Sequence, residues 1–260
     1  MSNTITTATL LGTAVAVITH DQAIDRILVL AAARRPAFVC FATAHMLVEA
    51  GQDQALRAVY NRADIITPDG RPVAWGLRLM GHHDTPCVSG PNLVPRLLRT
   101  AASCGVAVGF YGGRPETLHL MTEALRKQFP ALRITYAFSP PFRPMTEAET
   151  EQVCADIRDS GARLLFVGLG SPKQEFWMGE HSASLPCVLL GVGAVFEFLS
   201  GEKKLPPEWV QNLGLTWLAR LCQEPRRLLR RNLAYSPRFV FQFVCRHLLG
   251  IRDRHRVQDI

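Results

Sequence analysis

The sequence lacks the cysteine pattern of a disulfide framework or a structural zinc site. Its seven cysteines are odd in number and widely spaced, and no C-x-x-C pair occurs among them. We therefore expect a reducing, cytoplasmic location. The sequence also has no uncharged apolar run of about 18 residues, so no part of it is expected to span a bilayer. The apolar stretch at 10–18 has neither the basic flank nor the cleavage site of a signal peptide, and we interpret it as a strand.

Two nucleotide-binding signatures are missing as well. Neither the Walker sequence nor a clean G-x-G-x-x-G occurs, so the usual support for an ATPase or a dehydrogenase is absent. Internal repeats and low-complexity segments are not found either. We therefore expect a globular chain, and its function must be inferred from individual residues.

What the sequence does contain is an alternation of short apolar runs and longer helical patterns. At 48% apolar residues, a chain of 260 residues can bury a substantial core. The alternation is typical of a parallel sheet covered by helices, so we predict an α/β fold with a Rossmann-like sheet. Predicted strands cover 15–18, 37–42, 63–67, 106–111, 132–137, 163–168 and 187–192. Predicted helices cover 21–34, 46–61, 71–80, 91–103, 115–129, 146–160 and 172–182.

This alternation stops after Ser200, and a helical, basic segment without strands follows. Pro206 and Pro207 lie in the connection, where proline removes a backbone donor and ends a helix. We predict an α/β domain at 1–204 and a basic helical appendage at 205–260. The appendage holds 10 arginines and 4 acidic residues, which is +6 of the net charge of +7. Such a charge favours phosphate or an anionic surface as a partner.

A helical pattern at 238–250 places Phe239 and Phe243 on one face, with basic residues beside them. The pattern fits two structures equally well. The phenylalanines could pack against the α/β domain, or they could contact the surface of a membrane. The sequence leaves both interpretations open.

Polar and glycine-rich segments follow five of the predicted strands. Loops at the carboxyl ends of parallel strands bind ligands in open α/β sheets, so these segments are expected to line one site. Gly112, Gly113 and Gly170 would let the backbone approach a phosphate, with helix N-termini facing the anion. Tight turns are an equally ordinary reason for glycine at these positions. The segments are 42–45, 68–70, 112–115, 168–175 and 193–197.

Four segments together resemble the WecG/TagA/CpsF family of glycosyltransferases, glycosyltransferase family 26, over about residues 11–231. The resemblance implies an enzyme that moves a sugar with inversion from a UDP-sugar to a polyprenyl-diphosphate-linked sugar in bacterial exopolysaccharide or cell-surface glycan synthesis. It also implies a Rossmann-like domain with a C-terminal helical appendage, peripheral at the inner face of the cytoplasmic membrane. The matching segments are TPDG at 67–70, VGLGSPKQEFW at 167–177, GVGAVFEFLSG at 191–201 and WLARLCQEPRRL at 217–228.

The resemblance implies roles for four residues at the strand ends. Asp69 matches the carboxylate that acts as catalytic base, Thr43 a contact to the sugar or the acceptor, and Gln174 a contact to the sugar or the diphosphate. Glu197 matches an acidic residue that holds the nucleobase or the ribose. Each has a structural alternative. Asp69 could close a turn, and Thr43 could bond the backbone at its strand end. Gln174 could cap a helix, and Glu197 could be an ordinary surface residue.

A metal ion is not expected at this site. Many glycosyltransferases neutralise the departing diphosphate with a cation held by Asp-x-Asp, which does not occur here. Arginine binds a diphosphate without a metal, and the resemblance matches Arg220, Arg227 and Arg230 to arginines that close over the active site. Pro225 interrupts the helix that would align them, and a solvated basic face near anionic lipid is the alternative. No cofactor is expected besides the UDP-sugar donor.

Two positions depart from the family pattern. The family's Thr-Pro-Asn reads Thr-Ala-His at 43–45, and Cys87 replaces an arginine before the Val-x-Gly turn. Either Arg71, Arg114 or the appendage supplies the missing charge, or the enzyme handles a sugar other than N-acetylmannosamine. These departures favour a β-1,4-glucosyltransferase over an N-acetylmannosaminyl or N-acetylmannosaminuronic acid transferase. His45 is either a polar strand-end residue or a second catalytic base.

A function of another class also stays open, namely a non-catalytic nucleotide- or nucleic-acid-binding module that uses the basic appendage for phosphate. The appendage has neither an aromatic stacking platform nor a known nucleic-acid motif, so nucleic acid is not an expected partner. The expected partners are the UDP-sugar, the lipid-linked acceptor and an anionic membrane surface. The sequence makes no prediction about the oligomeric state.

Overall fold

The computed structural model describes residues 5–204, 206 and 235–248. Its strands are β1 (Thr7–Leu10), β2 (Thr13–Ala16), β3 (Ala37–Ala42), β4 (Ile65–Pro68), β5 (Val108–Gly112), β6 (Ile134–Phe138), β7 (Leu164–Gly168) and β8 (Val188–Gly191). The last six form one sheet in the order β4-β3-β8-β7-β5-β6, and every neighbouring pair in it is parallel. The α/β fold with a Rossmann-like sheet is thereby confirmed.

Helices cover both faces of this sheet. They are α1 (His20–Ala32), α2 (Ala44–Gln52), α3 (Gln54–Arg62), α4 (Arg71–Leu79), α5 (Gly90–Ser103), α6 (Pro115–Gln128), α7 (Glu147–Asp159), α8 (Lys173–His181), α9 (Val195–Leu199) and α10 (235–243). Helices α1, α5, α6 and α9 pack on one face, and the others pack on the opposite face. Within the described part of the chain, no helix is long and apolar enough to cross a membrane.

The central strands are buried on both sides because their side chains alternate between two hydrophobic cores. In β3, all six residues are buried. Val39 and Phe41 point into the core that contains α1 and α5, while Phe38 and Cys40 point into the core that contains α2 and α3. This double burial explains the continuous apolar runs from which the sequence predicts a parallel sheet.

One predicted helix is wrong, because the segment 46–61 forms two helices. Asp53 separates them with an extended backbone, at φ −110° and ψ 110°. Its carboxylate accepts hydrogen bonds from the backbone N–H groups of Ala55 at 2.8 Å and Leu56 at 3.0 Å. The side chain thus caps α3 and competes with continuation of α2.

The strand predicted at 15–18 is also wrong, both in position and in its place in the fold. The strand lies at Thr13–Ala16 and pairs antiparallel with β1 in a separate two-stranded sheet. Leu11 and Gly12 form the turn between these strands, with φ of 51° and 89°. Two successive positive φ angles define the hairpin turn that matches strand twist. Leucine is unusual at the first position of such a turn, so the sequence does not indicate the turn there.

The order of the strands creates a switch point between β5 and β7. Strand β5 continues into α6 on one face and toward β6, whereas β7 continues into α8 on the other face and toward β8. The two helices therefore leave the sheet in opposite directions at neighbouring strand ends. Open α/β sheets bind ligands in the crevice that forms at such a point.

The C-terminal helix α10 packs on the same face as α4 and continues into a π-helical segment, Val244–Leu248. Phe239 and Phe243 are buried there, and a Cβ added to Gly76 of α4 would lie 3.2 Å from the Phe243 ring. The interpretation of these two phenylalanines as membrane contacts is therefore wrong, because the protein itself covers them. Phe241 lies on the opposite side of α10 and is 70% exposed.

Replacement of Phe243 by alanine is expected to destabilise the fold far more than the same replacement of Phe241. Phe243 is 4% exposed, so truncation leaves a cavity against α4 that costs about 3–5 kcal/mol. Phe241→Ala removes an exposed ring and should change the free energy of unfolding by no more than about 0.5 kcal/mol. Urea denaturation of both variants measures the difference. Equal stabilities would contradict the packing of α10 against the domain.

Candidate active site

A cleft of about 1690 Å³ opens at the carboxyl edge of the parallel sheet. This volume exceeds the roughly 300–1,000 Å³ of a typical small-ligand pocket, so the cleft has room for two substrates. Its walls come from the segments that follow the six parallel strands, and Tyr235 of α10 adds to one side. The cleft is centred on the switch point, as expected for this type of sheet.

Most of the residues singled out in the sequence meet in this cleft. Those that line it are Thr43, His45, Asp69, Gly113, Arg114, Gly170, Gln174 and Glu197. The others differ, and among them Arg71 and Cys87 do not line the cleft. Gly112 is buried within β5, and Arg220, Arg227 and Arg230 lie outside the described residues.

Asp69 follows the last residue of β4, and its backbone is fixed by the neighbouring strand. Its N–H donates to the carbonyl oxygen of Ala42 at 3.0 Å. The next residue, Gly70, has a φ of 89° and is the N-cap of α4. The N–H of Gly70 donates to Sγ of Cys87 at 3.1 Å, so a thiol satisfies the N–H that follows the aspartate. The chain turns sharply at this point and leaves Asp69 on the wall of the cleft.

Cys87 is an uncharged neighbour of Asp69. Burial raises the pKa of its thiol to about 12, and the charge of Asp69 adds to the rise. Arg71, in the first turn of α4, is close enough to oppose that rise. Because the thiol is neutral, charge compensation around Asp69 must come from groups other than residue 87.

Thr43 and His45 belong to the first turn of α2. Oγ1 of Thr43 accepts a hydrogen bond from the Met46 N–H at 3.3 Å, so Thr43 does bond the backbone at its strand end, as N-cap of the helix. Its hydroxyl hydrogen is not used by this bond, and the cap is therefore compatible with a contact to a ligand. Nε2 of His45 lies 3.2 Å from Oε1 of Glu49, one turn further along α2.

Two side chains of this group were missed in the sequence. Glu49 lies four residues after His45, a spacing that places both on one side of a helix and would have signalled the pair. Tyr235 comes from α10. Its hydroxyl is 3.3 Å from Oε1 of Glu49, and its ring meets the His45 ring edge to face at 4.2 Å. No local pattern connects Tyr235 with α2, because 186 residues separate it from Glu49.

Gln174 lies in the first turn of α8 and is buried at the wall of the cleft. Its side chain does not cap the helix. Instead, Nε2 donates to Oε1 of Glu175 at 3.0 Å and to the carbonyl oxygen of Gly191 at 2.9 Å. Glu175 is also buried, and burial raises the pKa of its carboxyl group. Glu175 is a further residue to which the sequence had attached no role.

The glycines of the cleft serve different purposes. A Cβ on Gly112 would lie 2.6 Å from the carbonyl carbon and oxygen of Gly168. The absence of a side chain at Gly112 therefore lets the adjacent strand approach, and not a phosphate. Gly168 in turn faces Phe196, whose ring would be 2.7 Å from an added Cβ. Gly113 donates its N–H to the Gly168 carbonyl oxygen at 3.0 Å. Gly170 has open space around it and a φ of 79°, which glycine adopts readily.

Two ion pairs connect the rim of the cleft with the segment at 201–204. Arg114 lies 2.8 Å from Oε1 of Glu202, and Lys203 pairs with Glu197. The second contact is reinforced by the Lys203 N–H, which donates to the Glu197 carbonyl oxygen at 2.8 Å. Glu197 therefore has a defined partner and is more than an isolated surface glutamate.

Six helices have residues of their first turns in the wall of the cleft, namely α2, α5, α6, α7, α8 and α9. Helix N-termini present unpaired N–H groups and a positive end of the helix dipole, so this edge of the sheet suits an anionic ligand. Among the described residues, no group of three or more His, Cys, Asp or Glu side chains could hold a metal ion. The arrangement combines a carboxylate that can accept a proton with an environment that favours a phosphate-bearing substrate.

Comparison with known families agrees with this geometry. The model of the "Glycosyl transferase WecG/TagA/CpsF family" matches residues 8–253. The match covers nearly the whole chain, and it includes every segment that lines the cleft.

Proposed function

The chain belongs to the WecG/TagA/CpsF family of glycosyltransferases, and from that premise we propose that it transfers a hexose from a UDP-sugar to a polyprenyl-diphosphate-linked sugar with inversion. The observation that carries the proposal is the position of Asp69 at the wall of a cleft large enough for both substrates. We place the reaction in the synthesis of a bacterial exopolysaccharide or another cell-surface glycan, at the inner face of the cytoplasmic membrane.

In the proposed mechanism, Asp69 is the catalytic base. Inversion needs a base on the face of the sugar opposite the departing diphosphate, where it removes the proton of the acceptor hydroxyl. The acceptor oxygen then attacks the anomeric carbon, and UDP departs with the bonding electrons. Thr43 and His45 follow β3, the neighbour of the strand that ends before Asp69, and they are suited to contact the acceptor. The ion pair with Glu49 would stabilise the charged form of His45 if it took a proton.

Charge on the departing UDP is proposed to be stabilised without a metal ion. The first turn of α8 and the loop before it supply N–H groups and Lys173 beside the cleft. The basic appendage, proposed to extend over 205–260, would contribute Arg220, Arg227 and Arg230. Glu197 is proposed to contact the ribose or the nucleobase from the rim.

The sugar is proposed to be glucose, with transfer through a β-1,4 linkage. His45 and the neutral Cys87 give the neighbourhood of Asp69 a different charge and shape from those implied by Asn and Arg at these positions. Transfer of N-acetylmannosamine or its uronic acid is the second candidate, because the rest of the family pattern is retained.

Membrane contact is proposed through exposed apolar side chains of α4 and α10. The Gly76–Phe243 contact sets the two helices side by side, and Trp75, Leu79 and Phe241 are each more than half exposed. Helix α4 starts two residues after Asp69, so a membrane against this face would bring the lipid-linked acceptor to the base. The net charge of +7 favours an anionic leaflet.

The donor is tested with purified enzyme, UDP-glucose and UDP-N-acetylmannosamine, each with matching short-chain lipid-linked acceptors. We expect glucose transfer that survives EDTA, because no step of the proposed mechanism needs a divalent cation. Chromatography of the glycolipid product measures it. Transfer of N-acetylmannosamine alone would reject glucose, and a strict requirement for magnesium or manganese would reject the metal-free mechanism. Tight DNA binding without any transfer would favour the non-catalytic alternative.

Asp69→Asn is expected to lower kcat by about 10²-fold or more, because asparagine keeps the volume but cannot accept the proton. UDP binding and thermal stability should be unchanged. Asp84→Asn is the matched control, since Asp84 is exposed and does not line the cleft. Turnover of the Asp69 variant within a few-fold of the parent would move the role of base to His45 or Glu197.

The membrane face is tested by Trp75→Ser combined with Phe241→Ser. Each buried apolar side chain contributes about 1.5–3 kcal/mol to partitioning, so binding to vesicles rich in anionic lipid should fall by at least about tenfold. Transfer to a short-chain soluble acceptor should be spared. Val29→Ser with Leu120→Ser is the control, because these exposed side chains lie on the opposite helical layer. Equal loss in both double variants, or undiminished binding of the first, would contradict the proposed face.

A further inference from the structure

Gln174 and Glu175 are two consecutive polar residues in the first turn of α8, and both are almost fully buried, at 4% and 0% exposure. Consecutive buried polar residues are uncommon, because each must find hydrogen-bond partners inside the protein. Of these two residues, only Gln174 lines the cleft. Glu175 lies behind it, on the side of α2 and α3, where Glu49 is close enough to affect its charge.

The orientation of the Gln174 amide is determined by its neighbours. The carbonyl oxygen of Gly191 can only accept a hydrogen bond, so the amide atom 2.9 Å from it must be the nitrogen, Nε2. The same nitrogen lies 3.0 Å from Oε1 of Glu175. An amide group has two N–H hydrogens, and these two acceptors use both of them.

The amide oxygen of Gln174 faces the other way. Oε1 lies 3.5 Å from the position of a Cβ on Gly193, which is itself a residue of the cleft wall. This oxygen is itself buried, and among the described residues no group donates a hydrogen bond to it. A carbonyl oxygen in this position attracts a hydroxyl or N–H donor and repels a phosphate oxygen.

We infer that Glu175 is a positioning residue that, together with the carbonyl oxygen of Gly191, holds the amide hydrogens of Gln174 away from the cleft, so that Gln174 presents only its carbonyl oxygen and accepts a hydrogen bond from a hydroxyl of the donor sugar. The inference rests on the proposed function and narrows it. Of the two ligand contacts implied for Gln174 by the family resemblance, it selects the sugar and excludes the diphosphate.

The state of Glu175 supports this role and suggests a matched variant. Burial raises the pKa of its carboxyl group, which favours the uncharged acid. Glutamine is close to an uncharged glutamic acid in size, and it keeps an Oε1 acceptor for the Gln174 N–H. Methionine is of similar length but has no oxygen. Glu175→Gln should therefore preserve the orientation of the Gln174 amide, and Glu175→Met should release it.

The first experiment follows the Gln174 side-chain amide by ¹⁵N NMR, with Gln174→Met used to assign the signal. We expect slow hydrogen exchange in the parent and in Glu175→Gln, and at least about tenfold faster exchange in Glu175→Met. Unchanged exchange in the methionine variant would overturn the inference. This measurement needs no substrate, so it decides the link between the two residues even if the proposed function is wrong.

The second experiment measures the binding of UDP, UDP-glucose and UDP-N-acetylmannosamine by calorimetry. Glu175→Met should weaken the preferred UDP-sugar by about tenfold and leave UDP unchanged, and Glu175→Gln should restore the affinity. Equal weakening of UDP and the UDP-sugar would place the contact on the nucleotide and overturn the sugar assignment. A parent protein that binds none of the three would contradict the proposed function itself.

Gln174→Met keeps the test decisive if Glu175→Met does not fold, as circular dichroism will show. It removes the amide oxygen while leaving Glu175 in place. The same selective loss of UDP-sugar affinity is expected. Affinity for UDP-sugar equal to that of the parent would refute the role of the carbonyl oxygen.

Discussion

The contact between the carboxyl ends of β5 and β7 is the constraint on which the site depends. A Cβ on Gly112 would clash with Gly168 of the neighbouring strand, and a Cβ on Gly168 would clash with the ring of Phe196, which closes the same point from one face. Because α6 and α8 leave these strands toward opposite faces, the space above the contact stays open. The cleft is the result of that divergence, and it fixes where the loops after both strands can meet a ligand.

The parallel sheet could be predicted from the sequence because its central strands are buried on both faces and read as continuous apolar runs. Two features could not. The hairpin at β1 and β2 turns on Leu11, a residue without the usual turn preference. The break between α2 and α3 depends on Asp53, whose capping bonds compete with a helix that the apolar pattern alone would continue.

Some residues of the site could likewise be predicted from the sequence, and others could not. Residues that follow strands, such as Asp69 and Thr43, could be placed at one edge because the carboxyl ends of parallel strands share it. Side chains that lie behind a cleft residue, or that come from a distant part of the sequence, could not be placed in this way. Glu175 carries no pattern that reveals its bond to Gln174. Tyr235 reaches Glu49 only through the packing of α10, and that packing rests on the buried Phe239 and Phe243 rather than on a membrane.

The order of the strands also bears on how the chain folds as the ribosome releases it. Among the described strands, β8 is the last to be synthesised, yet it lies between β3 and β7 in the middle of the sheet. Before it is made, β3 can pair only with β4, and β7 can pair only with β5, so each of these strands lacks one neighbour of the final sheet. Pairing of Ala37 with Val188 joins β8 to β3, and such long-range pairing is intrinsically slow. The edge of β3, which ends at Ala42, therefore stays without its partner until Val188 is made, whereas β7 ends at Gly168 and waits for β8 only briefly. Unpaired strand edges favour aggregation, so a chaperone would protect the nascent polypeptide most during this interval.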